Sequence, residues 1–401
     1  MKINKVIEAA LNHDERGEIE LAISCLDSIA DLVPNELEYN KIVGMLYQRL
    51  GKDLESIKFL NRAVALDPND AAIHLALGFH HMDNSQLLAA IDNFKEHLRL
   101  NGFSQTGHLY LGRVYEFLGM LDLSEAQLIR AIAIAPNNPE PHIHLGRLYI
   151  RKQKLDQAGE KFRQAGELDS NSIITEIGLK RVSALKSGEV RKASSRLRPA
   201  AAVVCVKYGN KYGPEYVNKL FSMIKRNSVL SPQFYCFTDD KVGLAKGINI
   251  RQLPDKTFIG WWNKISLFGE HMSDIGERIL YLDLDVVVTN SIDPLLTYDS
   301  DFVIMDNDYV PGFNTSVFLL KTGSRKAIRE KFDFSISQSF AGDQDWVATM
   351  APDAELWPPS WCVPFRLRAS QVIPEGARVV AFPGNPNPSD YTVEWINEYW
   401  R

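Results

Sequence analysis

The chain has 401 residues, 45% of them hydrophobic and 24% charged, with a formal net charge of −5. That length accommodates two or three domains with cores of their own, and the composition is that of an ordinary globular protein. The mild acidity gives no electrostatic reason for a nucleic-acid partner, and without a run of about eighteen apolar residues no transmembrane segment is expected. Four scattered cysteines (Cys25, Cys205, Cys236 and Cys362) form no C-x-x-C pair, so neither a disulfide framework nor a zinc site is expected. The amino terminus lacks the apolar stretch of a signal peptide, which sets the expectation of a cytoplasmic protein, with peripheral attachment to a membrane still compatible.

The first half is periodic. Gly44, Gly78, Gly112 and Gly146 recur every 34 residues, each after an apolar residue and three before Tyr47, His81, Tyr115 and Tyr149. Ala63, Ala131 and Ala165 keep the same phase, which His97 breaks, and Pro34, Pro68 and Pro136 close units. Glycine permits close helix approach, alanine admits the next unit and proline ends the second helix. This pattern resembles the tetratricopeptide repeat, a helix pair per 34 residues. The expected arrangement is an all-α solenoid over residues 1–188, about five units and a capping helix near 173–186. Such a surface binds a protein partner or an acceptor, or self-associates. His74, His108 and His142 also recur in phase and are read as an inherited packing position rather than a metal ladder. Residues 189–199, small and basic and ending in Pro199, read as a linker.

From residue 200 the pattern becomes that of an α/β domain, 200–401. A buried strand ending at Val206 is followed by a loop, Lys207 and Tyr208 through Tyr212, then an amphipathic helix over 215–227 and a second strand at 233–237. Strand, helix, strand at this spacing predicts a parallel sheet with ligand loops at the strands' carboxyl ends. Next come Trp261, Trp262, Asn263 and Lys264, where a lysine could face phosphate. The apolar run 279–288 predicts one central strand in which Asp283 and Asp285 project to the same side. Two such carboxylates call for a cation between them, and a hard divalent ion is the simplest. Downstream lie Asn314-Thr315-Ser316 opening a strand, Asp343-Gln344-Asp345 opening a helix, and a Pro- and Gly-rich loop over 382–388.

In this order the elements resemble a GT-A glycosyltransferase of family 8, the glycogenin and lipooligosaccharide galactosyltransferase group, over most of residues 200–390. The resemblance implies that Asp283 and Asp285, as D-x-D, hold Mn²⁺ (or Mg²⁺) against the diphosphate of a nucleotide sugar, most simply a UDP-sugar. It implies a substrate pocket lined by Val206, Lys207, Tyr208, Tyr212, Asn263, Lys264, Asn314, Thr315, Ser316 and Gly384. Asp343, Gln344 and Asp345 match the family's D-Q-D motif, which faces the transferred sugar and implies catalytic roles, either Gln344 opposite the leaving group with retention of configuration or Asp343 or Asp345 as general base for an inverting attack. The family's carboxyl-terminal histidine and lysine are replaced by Pro383 and Asn387, and proline has no side-chain ligand to give a metal.

Two other functions fit parts of the pattern. One is a repeat scaffold carrying a degenerate, inactive transferase domain, on the strength of Pro383 and Asn387. The other is a haloacid-dehalogenase-like phosphohydrolase with Asp283 as nucleophile, although that family sets its motif on the first strand.

Overall fold

The computed structural model describes residues 2–33, 36–84, 86–188, 200–255, 257–384, 387–391 and 393–401. Pro34 and the expected linker at 189–199 lie outside these. Contacts divide the chain into two compact units, Met1–Pro141 and His142–Arg401.

The first unit is built of α1 (Lys2–Glu15), α2 (Ile19–Asp27), α3 (Leu37–Arg49), α4 (Asp53–Leu66), α5 (Ala71–Asp83), α6 (Leu87–Leu100), α7 (Gln105–Phe117) and α8 (Leu121–Ile134). Consecutive helices pack as pairs. The phased glycines explain how. Gly44, Gly78 and Gly112 sit on α3, α5 and α7 against Leu60, Phe94 and Leu128 of the paired helix, themselves 34 residues apart. A Cβ at Gly78 would lie 2.6 Å from the Phe94 ring, so any other side chain forces the pair apart. Asp70 and Ser104 cap α5 and α7 through backbone amides, which fixes where each begins. The phased histidines have matching structural bonds. His74 and His108 each reach the carbonyl six residues back, of Pro68 and Gly102, and a side-chain amide oxygen, of Asn93 and Gln127.

The second unit begins within α9 (Pro139–Arg151) and continues through α10 (Leu155–Leu168) and α11 (Ile173–Ser187) into the α/β region. There the strands are β1 (Ala202–Lys207), β2 (Phe234–Thr238), β3 (Asn249–Arg251), β4 (Arg278–Leu282), β5 (Val286–Val288), β6 (Phe302–Asp306), β7 (Phe313–Lys321), β8 (Glu355–Leu356), β9 (Cys362–Pro364) and β10 (Val379–Ala381). The main sheet has the order β3-β2-β1-β4-β7-β6-β8, and a small second sheet is β5-β10-β9. Strands β1 to β4 are mutually parallel, and β7 lies antiparallel to both β4 and β6. Order reverses at β1, with β2 on one side and β4 on the other. In open parallel sheets such a reversal leaves a crevice at the strands' carboxyl ends.

Both faces of the main sheet are covered, so its strands are almost continuously apolar. Cys205, Leu280, Leu282 and Val317 face one core together with Tyr216, Leu220 and Ile224 of α12 (Pro214–Arg226). Val204, Ile279, Tyr281 and Phe318 face the other, with Trp262 and Trp346. Ile177 of α11 belongs to that second core and is 2% exposed. Arg181, a turn later, donates to the carbonyls of Pro352 and Ala354 at 2.7 and 2.6 Å. The expected capping helix is therefore part of the wall of the α/β core.

One expectation is corrected. The run 279–288 is not a single strand: β4 ends at Leu282 in the main sheet, and β5 starts at Val286 in the small one. Asp283 and Asp285 occupy the turn between sheets, so strand alternation does not set their directions. The cause is β10, which pairs antiparallel with β5 and draws Val286, Val287 and Val288 out of the β4 register.

Burial of Ile177 and the two Arg181 hydrogen bonds together contribute on the order of several kcal/mol, a large part of a typical domain's stability. A chain starting at Pro139 is therefore expected to unfold cooperatively, whereas one starting at Ala200 melts at least about 10 °C lower or aggregates. Equal melting temperatures in differential scanning calorimetry would contradict the role given to α11.

Candidate functional site

The crevice at the ends of β1 and β4 gathers most of the charge-bearing residues singled out above. Its centre is Lys264, which projects from a 3-10 helix, Gly260–Phe268. Trp262 anchors that helix by stacking on Phe332 at 5.0 Å, while Trp261 is half exposed. Lys264 Nζ donates to Asp283 Oδ2 at 3.0 Å and to Thr315 Oγ1 at 3.2 Å, and lies 3.6 Å from Asp343 Oδ2. Thr315 Oγ1 in turn donates to Asp343 Oδ2 at 2.7 Å. The other oxygen of Asp283 accepts from the Tyr281 hydroxyl at 2.6 Å. Tyr281 is held by a stacked aromatic column, with Phe318 at 4.8 Å and Phe268 a further 5.3 Å beyond.

Thr315 reaches this cluster because β7 is irregular. Ile304 pairs with Phe318 but the next residue, Met305, pairs with Asn314, which leaves 315–317 without partners on β6. Such a break re-aims side chains. Asn314 Oδ1 accepts from the Ser316 amide at 2.8 Å, and the Ser316 carbonyl accepts from the Asp283 amide at 2.9 Å, which ties the segment to the turn.

Asp285 looks elsewhere. Its Oδ2 accepts from the Tyr212 hydroxyl at 2.7 Å, and the same hydroxyl lies 3.3 Å from Asn387 Oδ1. Tyr212 packs at 4.8 Å on Tyr216 of α12, and the exposed Lys211 ammonium lies 4.7 Å from the Tyr212 ring centre. Asp283 and Asp343 thus share the largely buried Lys264, while among the described residues no lysine or arginine lies within ion-pair distance of Asp285, so its charge is the least compensated.

The protonation equilibria reflect that imbalance. Burial by itself would lower the Lys264 ammonium, but the Asp283 and Asp343 carboxylates outweigh it and hold the lysine charged well above its usual range. Burial raises the Asp343 carboxyl, against the pull of Lys264 and Thr315. Burial and then Asp283 raise Asp285 from 3.8 to about 6, against Tyr212, Lys264 and Lys211. Burial raises the Tyr208 phenol, which also feels Lys264 and the three aspartates, so Tyr208 borders the same crevice.

Some expected site residues are engaged locally instead. The Asn263 amide donates to the Gly260 carbonyl at 2.8 Å and closes the 3-10 turn. Asp345 Oδ2 accepts from the Ala341 amide at 3.2 Å, at the start of the helix Asp343–Met350. Gln344 is partly exposed, Val206 and Lys207 are buried at the end of β1, and Gly384 forms a turn at φ +83°. Asn385 lies outside the described residues. Among the described residues no three His, Cys, Asp or Glu side chains converge as a metal site, so an ion here needs an amide, water or ligand oxygen as well. Three contributors escaped the sequence reading: Tyr281, Lys211 and Asn387. Tyr281 lies in the apolar run 279–288 and Lys211 in the loop between Lys207 and Tyr212, where nothing local marks either for a task, and Asn387 reads locally only as a missing lysine.

Comparisons with known proteins concern the repeats. The tetratricopeptide repeat model matches residues 42–70 and 109–138, and the chain carries tetratricopeptide repeats. It is 28% identical over 120 residues to anaphase-promoting complex subunit 3 of Schizosaccharomyces pombe, covering 30% of this chain and 18% of that protein. It is 30% identical over 79 residues to the CTR9 homolog of Arabidopsis thaliana, covering 20% of this chain and 7% of that protein. This chain therefore spans less than a fifth of the length of either curated relative. Among solved structures, the MamA protein aligns over 42% of this chain and 92% of its own, at 24% identity and a TM-score of 0.38. Among the described residues no helix is long and apolar enough to cross a membrane.

Asp285 holds its proton to about pH 6 when folded but only to about 3.8 when unfolded. Its charge therefore costs stability progressively between those values and by a constant amount above, at most about 3 kcal/mol for a shift of roughly two units. In metal-free buffer Asp285→Asn is expected to resist urea better than the parent at pH 8, by up to about that amount, and equally at pH 4. A variant that is less stable at pH 8 would contradict the charge imbalance.

Proposed function

We propose that the α/β region is a metal-dependent glycosyltransferase acting on a nucleotide diphosphate sugar, borne on a repeat array that binds a protein partner, the acceptor or a second copy of the chain. The observation that carries this reading is the meeting of the β1 loop (Tyr208, Lys211, Tyr212) with the Asp283–Asp285 turn at the reversal of strand order. That is where doubly wound sheets receive nucleotides.

A divalent ion, when bound with the diphosphate, would supply Lewis-acid stabilisation of the charge that builds on the leaving group. The chain's own residues do the rest. Asp285 presents the carboxylate whose charge is least compensated. Lys264 fixes Asp283 and Asp343 and keeps two buried acids from repelling each other. Lys211, exposed over Tyr212, offers a mobile positive charge to phosphate oxygens. Gln344, which like the half-exposed Trp261 lies close to Gly342, is the polar group that would meet the sugar.

A second reading is favoured by Pro383 and by the full engagement of Asp283. It is a tetratricopeptide scaffold whose α/β domain no longer turns over. The comparisons support this reading better than the first, since the matching family model is the repeat and one relative's name describes a complex subunit. The phosphohydrolase reading is weakened, since an attacking Asp283 would have to shed both Lys264 and Tyr281.

The assay that separates these is hydrolysis or transfer with a panel of UDP-sugars and Mn²⁺. The transferase reading expects measurable turnover that Asp285→Ala lowers at least about a hundredfold, the scale of losing a principal electrostatic group. No turnover by the parent with any sugar and acceptor tried, alongside intact folding, supports the scaffold. Cleavage of p-nitrophenyl phosphate without a nucleotide supports the phosphohydrolase.

A further inference from the structure

Resting on the metal-dependent reading above, we infer that the oxygen donors from the chain to the ion are Asp285 Oδ2 and the Asn387 side-chain oxygen, with Asp283 as a positioning residue. Asn387 thereby replaces the side chain that Pro383 cannot provide.

Three observations carry this. First, Asp283 is engaged at both oxygens: one accepts from Lys264 Nζ at 3.0 Å and the other from Tyr281 at 2.6 Å, and these donors are 11% and 1% exposed. Drawing either oxygen toward an ion would weaken its bond to the largely buried lysine or the buried phenol, whereas Asp285 Oδ2 is bonded to the less buried Tyr212. Second, Asp285 Oδ2 and Asn387 Oδ1 lie within 2.7 and 3.3 Å of one Tyr212 hydroxyl, so the two acceptors face a common point. The Tyr212 hydroxyl is the donor that faces both, with the Lys211 ammonium 4.7 Å from the ring centre of the same tyrosine. Both atoms are hard oxygens of the kind that Mn²⁺ and Mg²⁺ take, and an ion held there would take the place of the Tyr212 hydroxyl hydrogen. Third, the backbone holds Asn387 in place. It caps the short turn Pro388–Asp390 in a reciprocal capping box, its side chain accepting from the Asp390 amide and its own amide donating to Asp390 Oδ2 at 2.8 Å, so the second lone pair of its oxygen is the one left for an ion. The opposite side is held by the Phe382 amide, which donates to the Asp285 carbonyl at 3.1 Å.

A consequence follows for the order of binding. One carboxylate and one amide are a poor cage for a divalent ion, whose affinity rises with the number of charged ligands. The ion is therefore held well only when diphosphate oxygens complete its shell, so it arrives with the nucleotide instead of residing in the empty protein. Asn387→Asp supplies the missing charge while keeping a good cap residue, so the turn is preserved.

The test is a titration of MnCl₂ into the metal-free full chain, followed by the electron paramagnetic resonance of free Mn²⁺, with and without UDP. The parent is expected to bind Mn²⁺ weakly alone and at least about tenfold more tightly with UDP. Asn387→Asp is expected to tighten Mn²⁺ binding without nucleotide at least about tenfold, and Asn387→Ala to loosen the Mn²⁺–UDP complex at least about fivefold. Circular dichroism and melting temperature verify that each variant is folded. If Asn387→Asp binds Mn²⁺ no better than the parent, the assignment of Asn387 is overturned, whatever UDP does. If the parent gains nothing from UDP while Asn387→Asp still captures Mn²⁺, the ligand pair stands and the nucleotide reading falls.

Discussion

The α/β region depends on one buried ammonium facing more carboxylate than it can neutralise. Lys264 sits between Asp283 and Asp343, 3.0 and 3.6 Å away, and Asp285 is the nearby acid it does not reach by hydrogen bond. Removing the lysine would leave uncompensated charges in a low-dielectric crevice, a loss of roughly 3–5 kcal/mol. Keeping it leaves a deficit of positive charge localised at Asp285. That deficit, at a sheet's topological reversal, is what the proposed cation site rests on.

Everything around that deficit is rigid for reasons that can be traced. The aromatic column of Phe268, Phe318 and Tyr281 sets the phenol that orients Asp283. The break in β7 register turns Thr315 toward Lys264 and Asp343. The switch from the main sheet to β5 separates the directions of Asp283 and Asp285. The last repeat helix also takes part, because Ile177 touches the region of Gly312 and Ala348, which adjoin the β7 segment and the Asp343 helix. The last repeat helix and the α/β core therefore pack within one unit, His142–Arg401.

Much of this was legible beforehand because it rests on short-range pattern. The 34-residue phase of Gly44, Gly78, Gly112 and Gly146 reports close helix packing directly, since any side chain there collides with the partner helix. Buried strands and the D-x-D turn were visible as apolar runs interrupted by acids. What escaped depends on partners distant in sequence. The split of 279–288 is imposed by β10, some ninety residues later. Lys264 reads as a phosphate ligand from its neighbours alone, yet it faces carboxylates supplied by two other segments. Asn387 reads as the loss of a lysine until Tyr212, 175 residues earlier, brings it beside Asp285.

The central claim is that this crevice accepts a nucleoside diphosphate through a divalent ion at Asp285. Isothermal titration calorimetry of UDP into the full chain, with Mn²⁺ and then with excess chelator, addresses it most directly. The account predicts one UDP per chain with Mn²⁺ and at least about tenfold weaker binding once the ion is removed. Absence of binding in both conditions, or binding indifferent to the chelator, would contradict it.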